Sequence, residues 1–270
     1  MDSTTENIEA AQKAFSAQAP SFDSYEKKNK ILQWMRKQVY KHEEEFLHPN
    51  DTILELNAGT GIDAVHFAQQ GHSVFAIDNA DGMLNELQKK IDEYRLEDKI
   101  RYAKCSFTEL SSLPPQRFSH IFSNFGGLNC IPDLRIVTEQ LHNFSKPGGT
   151  ITFVIMPKVC PWEMLHVLKG NTRLAFRRFT KNGTVANIEG HLFQTYYFSP
   201  HDVVTGFGSR YTVVKIRGLA SLSPPPYMET FPEKFPNFYK ALTRFDERFS
   251  IFAPLNKWGD HFIITMKLTK

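Results

Sequence analysis

A tract of small and polar residues just before position 62 has the composition of a ligand-binding turn. Glu55 lies inside a short apolar run, 53–56, and Asn57-Ala58-Gly59-Thr60-Gly61 follows that run at once. Glycines let the main chain turn sharply and approach a ligand closely. Apolar residues then recur at helical spacing from Ile62 to Ala68, and the N-terminus of such a helix presents unpaired N–H groups. The order of strand, glycine turn and helix predicts a nucleotide-type site.

A second acidic residue, Asp78, ends the next apolar run, 73–78. It follows the glycines by about 20 residues, the spacing at which a carboxylate accepts both hydroxyls of an adenosine ribose. This position does not distinguish between enzymes, because a dehydrogenase places an acid there too. Gly59-x-Gly61-x-x-Ala64 also fits the dinucleotide fingerprint. A dinucleotide site and an ordinary strand-turn-helix without a ligand therefore both remain open at this point.

The tract Glu55-x-Asn57-x-Gly59-x-Gly61 resembles the first motif of class I S-adenosylmethionine (SAM) methyltransferases, an acid followed by three alternating glycines. Asn57 stands in place of the first glycine, and asparagine tolerates left-handed backbone angles better than most residues. The resemblance covers about residues 15 to 156 and is to members that act on small molecules. It implies SAM as cofactor, S-adenosylhomocysteine as product, and methyl transfer to a small organic acceptor through oxygen, nitrogen or carbon.

The resemblance implies a set of cofactor contacts that runs from the N-terminal segment to the fourth strand. Its members are Tyr25, Arg36, Glu55, Asn57, Ala58, Gly59, Thr60, Gly61, Asp78, Asn79, Met83, Ser106, Phe107 and Asn124. Tyr25 would close the pocket and Met83 would pack on the adenine ring, although ordinary packing explains each of them as well. Ser106 replaces the usual adenine-binding aspartate, so backbone groups at Ser106 and Phe107 would recognise the adenine.

Acceptor contacts are predicted from two places. Phe125 and Asn129 flank Gly126-Gly127 at the end of the fourth strand, and Trp162, Arg177 and Arg178 lie in a segment expected to roof the site. The arginines would hold an anionic group of the acceptor, and a solvated basic face is the alternative explanation. None of the ten histidines sits in a recognisable catalytic pattern, so no catalytic base is assigned, and no metal site is expected.

Strands alternating with helices predict an α/β fold in which a doubly wound, seven-stranded, mostly parallel sheet carries an inserted lid. The resemblance implies the Rossmann-like form of this fold, with a terminal antiparallel strand. Four regions are predicted: an N-terminal helical cap at 1–48, a SAM-binding core at 49–156, a lid at 157–199, and completion of the sheet at 200–270 with a helical insertion.

Two details of the helical regions are also predicted. Helices are expected at 6–15 and 27–46, joined by an aromatic loop at 15–25 that would fold over the cofactor. Near the C-terminus, Phe238, Leu242, Phe245 and Phe249 recur at helical spacing, which predicts a helix with its aromatic face toward the core.

Composition limits the function classes. The net charge of +3 is too small to indicate a nucleic-acid partner, and no apolar run reaches the ~20 residues of a membrane span. Three widely spaced cysteines suit a reducing cytoplasm and are expected to be buried. A small-molecule acceptor and a monomer or homodimer are expected. A nucleic-acid or protein methyltransferase, or a non-catalytic SAM-binding scaffold, remain as alternatives.

Overall fold

A seven-stranded sheet forms the centre of the computed structural model, which describes residues 3–269. The strands are β1 (Thr52–Leu56), β2 (Ser73–Asp78), β3 (Ile100–Lys104), β4 (Phe118–Ser123), β5 (Ser145–Ile155), β8 (Tyr211–Leu219) and β9 (His261–Leu268). Their order across the sheet is β3-β2-β1-β4-β5-β9-β8. β1 to β5 are parallel, whereas β9 runs antiparallel between β5 and β8. The predicted mostly parallel, doubly wound sheet is confirmed.

Successive residues of the central strands fill two separate cores. Ile121 of β4 packs into the core on one face of the sheet, and Phe122 packs into the core on the other. Both side chains are fully buried, as the two-residue period of a strand covered on both faces requires. The sheet is thereby held between its helical layers. The order of the strands reverses between β1 and β4, because β2 and β3 lie on one side of β1 whereas β4 and β5 lie on the other.

Ten α-helices of the described residues surround the sheet. They are α1 (Ser3–Lys28), α2 (Lys30–Glu43), α3 (Ile62–Gln69), α4 (Asp81–Tyr94), α5 (Arg135–Leu141), α6 (Pro161–Met164), α7 (Thr172–Ala175), α8 (Pro200–Phe207), α9 (Phe231–Lys234) and α10 (Pro236–Phe249). A separate hairpin is formed by β6 (Thr184–Ile188) and β7 (His191–Thr195). Among residues 3–269, no helix is long and apolar enough to cross a membrane.

The predicted loop at 15–25 is wrong, because this segment lies within α1. Phe15, Ala19 and Phe22 share one face of the helix and pack against Ala80 and Met83. That burial outweighs the cost of Pro20 inside the helix, which leaves one backbone carbonyl without its helical N–H partner. The cap is therefore a continuous helix, and α2 begins only after it.

The C-terminal helix is confirmed as α10, but its aromatic face is not turned toward the core. Phe238 and Phe245 are 55% and 41% exposed. The buried face is polar instead: the Asp246 carboxylate accepts hydrogen bonds from the backbone N–H groups of Leu222 and Ser223. The prediction failed because helical spacing locates a face without saying which side meets the protein.

Candidate functional site

The two glycines of the β1–α3 turn serve different purposes. Both have left-handed φ angles, +56° at Gly59 and +78° at Gly61. A Cβ on Gly61 would lie 2.1 Å from Cδ1 of Leu87, so this glycine is required by helix packing. A Cβ on Gly59 would meet nothing closer than Sδ of Met83, at 3.9 Å, because it would point into a pocket. Gly59 is therefore the position at which the main chain lies open to a ligand.

Asn57 adopts the left-handed conformation expected of a residue in a glycine position, with φ +47°. Its Oδ1 accepts a hydrogen bond of 2.6 Å from Ser123 Oγ, and its Nδ2 donates to the Asn124 carbonyl at 3.0 Å. A Cβ on Gly127 would lie 2.3 Å from Asn57 Cγ. The side chain therefore joins the β1 and β4 turns, a task that a glycine could not perform.

Asp78 ends β2 with its carboxylate beside the glycine turn. Oδ2 accepts from the Gly59 N–H and Oδ1 from the Ala80 N–H, both at 2.8 Å. Burial raises the pKa of Asp78 above its ordinary value, and the backbone N–H groups only partly offset that effect. The carboxylate lines the pocket, and each oxygen keeps a lone pair for a hydroxyl donor.

Arg36 and Asp63 form a charged wall of the pocket, with Glu26 behind it. The guanidinium of Arg36 binds Glu26 and Asp63, and it lies 4.7 Å from the ring centroid of Phe125. Burial acts against the charge of Arg36, but the two carboxylates raise its pKa well above the ordinary value. Asn124 Nδ2 donates to Asp63 at 2.9 Å. Two carboxylates against one guanidinium make this wall acidic, which suits a cationic ligand.

Glu55 lies buried behind the turn, where it is 1% exposed. Burial raises its pKa well above the ordinary value, and the nearby Asp63 adds to the shift. Its Oε2 is buried and has no hydrogen-bond partner. A buried polar oxygen without a partner is costly, and Glu55 is not among the residues that line the pocket.

Helix α1 forms the cover of the pocket. Phe15 and Phe22 line it, and Asp23 accepts a hydrogen bond of 2.6 Å from Thr60 Oγ1 and pairs with Lys90 at 2.5 Å. The pocket is partly open to solvent, and its volume is about 120 Å³, whereas small-molecule sites are typically about 300–1,000 Å³. A nucleoside-sized ligand therefore needs more room than the pocket has here, either through its open side or by a shift of α1.

Nine of the predicted site residues line this pocket: Arg36, Asn57, Ala58, Gly59, Thr60, Asp78, Met83, Asn124 and Phe125. The sequence prediction missed Phe15, Phe22, Ile62 and Asp63, which line it as well. The charge of Asp63 in the first turn of an otherwise apolar helix was an available signal. Glu26, paired with Arg36 behind the pocket, was also missed.

Several predicted cofactor residues lie outside the pocket lining. Tyr25 is 44% exposed, and its hydroxyl accepts from Asn29 Nδ2; it does not close the pocket, because the continuous helix turns it outward. The Asn79 carbonyl accepts from Gln12, and Ser106 Oγ bonds with Thr108. Phe107 packs against the core, and Gly61 against α4, as described above.

Asn129, predicted to contact the acceptor, is instead a backbone clamp. It is completely buried. Its Oδ1 accepts from the Met156 N–H at 3.0 Å, and its Nδ2 donates to the carbonyls of Met156 and Tyr196. With every polar atom satisfied, Asn129 fixes the end of β5 to the segment after β7 and is not available to a ligand.

The predicted anion-binding role of Arg177 and Arg178 is also wrong. Both guanidinium groups bind the carboxylate of Glu163 at 2.7 Å, and Arg178 reaches Asp260 at 3.2 Å. Glu163 is 1% exposed and Arg178 4% exposed. Arg178 is therefore paired inside the protein, whereas the side chain of Arg177 is half-exposed and pairs with Glu163 at the surface. Trp162, the remaining acceptor prediction, donates to the Leu222 carbonyl at 2.8 Å and lies outside the pocket lining.

Comparison with known proteins identifies the central part of the chain. Residues 53–149 match the family model described as a methyltransferase domain. These residues form a methyltransferase domain. The chain is 32% identical over 108 residues to a malonyl-[acyl-carrier protein] O-methyltransferase of Yersinia pestis, a stretch that is 39% of this chain and 37% of that protein. It is 26% identical over 113 residues, 40% of this chain and 46% of the relative, to a carboxy-S-adenosyl-L-methionine synthase of Vibrio atlanticus (strain LGP32). Each match spans less than half of the relative's length.

Solved structures extend the likeness of the methyltransferase domain to the whole fold. The 1,6-didemethyltoxoflavin-N1-methyltransferase of Burkholderia thailandensis, with 1,6-didemethyltoxoflavin and S-adenosylhomocysteine bound, has a TM-score of 0.60 at 14% identity, covering 100% of this chain and 92% of that one. The geranyl diphosphate C-methyltransferase of Streptomyces coelicolor A3(2) has a TM-score of 0.57 at 14% identity, covering 88% and 79%. The chain therefore has the class I methyltransferase fold throughout.

Proposed function

We propose that the protein transfers a methyl group from SAM to a small organic acceptor. The observation that carries the proposal is the pairing of Asp78 with the open main chain at Gly59, at the point where the sheet reverses its winding. Ligands of open α/β sheets bind at this point. The bound sulfonium supplies both the methyl group and its own leaving group, so the protein's task is alignment.

The residues of the pocket fit SAM in three respects. Asp78 accepts hydrogen bonds from the ribose hydroxyls, the space at Gly59 admits the methionine part of SAM, and Met83 packs on the adenine. The acidic wall around Arg36 favours the cationic sulfonium and ammonium groups. Backbone groups at Ser106 and Phe107 contact the adenine once α1 has moved.

We assign the roof of the acceptor site to residues 157–199. The hairpin is tied to the pocket side of the sheet by the Tyr196 N–H, which donates to the Asn129 carbonyl at 2.7 Å, and by the rings of Phe15 and Phe193 at 5.7 Å. The protein is proposed to act as a monomer or homodimer without a nucleic-acid partner. Its three buried, unpaired cysteines support a reducing compartment, the cytoplasm.

Calorimetric titration with SAM, S-adenosylhomocysteine and NAD tests the proposal. The wild type should bind the first two. Asp78→Ala removes hydrogen bonds to two hydroxyls, at about 1.5–3 kcal/mol for each bond to a charged group, so SAM affinity should fall at least about 100-fold. Asp81→Ala is the matched control, because its carboxylate is exposed and pairs with Lys104.

Two results would contradict the proposed function. One is binding of NAD in place of SAM by the wild-type protein. The other is an Asp78→Ala protein that is folded, as judged by circular dichroism, and binds SAM as tightly as Asp81→Ala does.

A further inference from the structure

A histidine–aspartate pair lies at the edge of the sheet that carries the proposed site. β9 begins at His261 and runs antiparallel to β5, with Phe262 opposite Ile155 at the end of β5. The first residue of β9 therefore lies at the carboxyl edge of the parallel strands. Asp260 immediately precedes it, and both residues are 7% exposed.

The contacts of this pair set the protonation of the imidazole. His261 Nδ1 lies 2.9 Å from Asp260 Oδ2, and Asp260 Oδ1 accepts from Arg178 at 3.2 Å. Burial alone would raise the pKa of Asp260, but His261 and Arg178 outweigh it and hold the pKa below its ordinary value. An ionised carboxylate only accepts hydrogen bonds, so Nδ1 donates its N–H to Asp260, and in the neutral ring this tautomer leaves the lone pair on Nε2.

The free nitrogen faces the turn after β4. Nε2 is 3.4 Å from the position that a Cβ on Gly126 would occupy, and the ring meets the edge of Phe125 at 5.6 Å between centroids. Within residues 3–269, no hydrogen-bond partner is found for Nε2. Phe125 itself lines the cofactor pocket and has a strained φ of +43°. Only the ring of Phe125 thus separates the imidazole of His261 from the pocket.

The other buried histidine–carboxylate pair has a different position. His120 contacts Glu43 at 2.8 Å, and each side chain is 1% exposed. His120 lies beside Ile53, near the start of the neighbouring strand β1. The His120–Glu43 pair is therefore at the opposite edge of the sheet from the glycine turn. Of the two pairs, only that of His261 lies where an acceptor would react.

We propose that Nε2 of His261 is the base that removes a proton from the acceptor, and that the acceptor is an aromatic hydroxyl compound. This inference rests on the proposed function. The O–H bond breaks as its proton passes to Nε2, the oxygen forms the new O–CH3 bond, and the electron pair of the broken S–CH3 bond stays on sulfur. The proton then leaves the imidazolium for solvent.

The chemistry of the base selects this acceptor class. A carboxyl acceptor is already ionised near neutral pH and needs no base. A phenol, with a pKa of about 10, is within reach of an imidazole at about 6.5. Aliphatic hydroxyl groups are much weaker acids than phenols. The ring of Phe125, which lines the pocket and lies beside the imidazole, suits an aromatic acceptor.

Several charged and titratable groups surround the Asp260–His261 pair. Asp260 faces the imidazole directly, and Arg178 faces Asp260 from the roof. The Cys160 thiol and the Tyr227 hydroxyl also interact with Asp260, but burial raises the pKa of Cys160 to about 11 and raises that of Tyr227 as well. Both stay neutral at neutral pH. Arg36 lies across the ring of Phe125.

The test uses two phenols and tritiated SAM at pH 8. 4-Nitrophenol is largely ionised at that pH and needs no base, whereas 4-methylphenol is not ionised. His261→Gln should lose about 100-fold or more in rate on 4-methylphenol and less than about 5-fold on 4-nitrophenol, for which no base is required. His48→Gln, at an exposed histidine in the segment before β1 and outside the roof, is the control and should behave as the wild type with both.

A second readout does not depend on turnover. Nitrogen-15 spectra of the histidine rings should show Nε2 of His261 unprotonated at pH 8, and Asp260→Asn should change the tautomer. A ring with its proton on Nε2 in the wild type would overturn the inference. So would equal losses on both phenols, no loss on either, or transfer to a carboxylic acid and to neither phenol.

Failure of the proposed function is distinguishable from failure of the base. A wild-type protein that does not bind SAM in calorimetry removes the methyltransferase proposal itself. A wild-type protein that binds SAM and methylates both phenols, with His261→Gln unaffected, removes only the base.

Discussion

Three left-handed glycines offer a way to separate folding from ligand binding in the β1–α3 turn. Gly59, Gly61 and Gly71 have φ angles of +56°, +78° and +97°. Alanine at any of them therefore costs about 1–2 kcal/mol in backbone strain. A Cβ at Gly71 meets nothing within 4 Å, so Gly71→Ala reports strain alone and serves as the reference variant.

The other two substitutions should then diverge. At Gly61 the added methyl lies 2.1 Å from Cδ1 of Leu87, which is fully buried. Overpacking adds about 1–3 kcal/mol, so Gly61→Ala should lose about 2–5 kcal/mol of unfolding free energy. At Gly59 the methyl points into the pocket, so Gly59→Ala should match Gly71→Ala in stability. Its SAM affinity should fall about 5- to 150-fold, because a similar steric cost of about 1–3 kcal/mol falls on the complex.

Urea unfolding and calorimetric titration of the three variants measure both quantities. The reasoning is refuted if Gly59→Ala binds SAM as tightly as Gly71→Ala does, since the open face of the turn would then not be where the ligand lies. It is also refuted if Gly61→Ala is no less stable than Gly71→Ala.

Two further predictions concern stability. Burial lowers the pKa of His42 to about 3. In the unfolded chain this histidine has a pKa of about 6.5 and binds a proton that the folded protein excludes. The unfolding free energy should therefore fall by about 1.4 kcal/mol between pH 8 and pH 5.5 because of this group. In urea unfolding, His42→Gln should reduce the measured pH dependence by that amount, and an unchanged pH dependence would show that the ring protonates when folded. Glu163→Gln removes one of the two carboxylates that bind the buried Arg178 and should cost about 3 kcal/mol. Arg177→Met, at a half-exposed group, should cost less than about 1 kcal/mol; equal losses would contradict the burial argument.

The sheet and the glycine turn were predictable because their signals are local. Apolar runs such as 73–78 mark buried strands, and Asp78 ends its strand where a parallel sheet exposes ligand-binding groups. Even the departure at Asn57 followed from backbone sterics, since its φ is +47°. These features depend on the identity and spacing of neighbouring residues.

The failures have a common physical origin in contacts between distant segments. The charges of Arg177 and Arg178 are cancelled by Glu163, which the sequence does not mark as their partner. Pro20 disfavours a helix in its segment, but packing against α4 stabilises that helix nevertheless. The Asp260–His261 pair is adjacent in sequence, and its place at the start of the last strand was an available signal; only the antiparallel insertion of β9 brings it beside the β4 turn.

The continuity of α1 has a consequence for the order in which ligands enter and leave. Near its start, Asn7 donates to the Cys130 carbonyl and accepts from the backbone N–H of Gln194 in the hairpin. Near its end, Asp23 holds Thr60 in the glycine turn. One 26-residue helix thus contacts both the hairpin and the glycine turn. In the proposed reaction, a displacement of α1 that admits the methyl donor would also break the contacts of Asn7 with the hairpin. Exchange of the spent donor and release of the methylated product would then be coupled through α1.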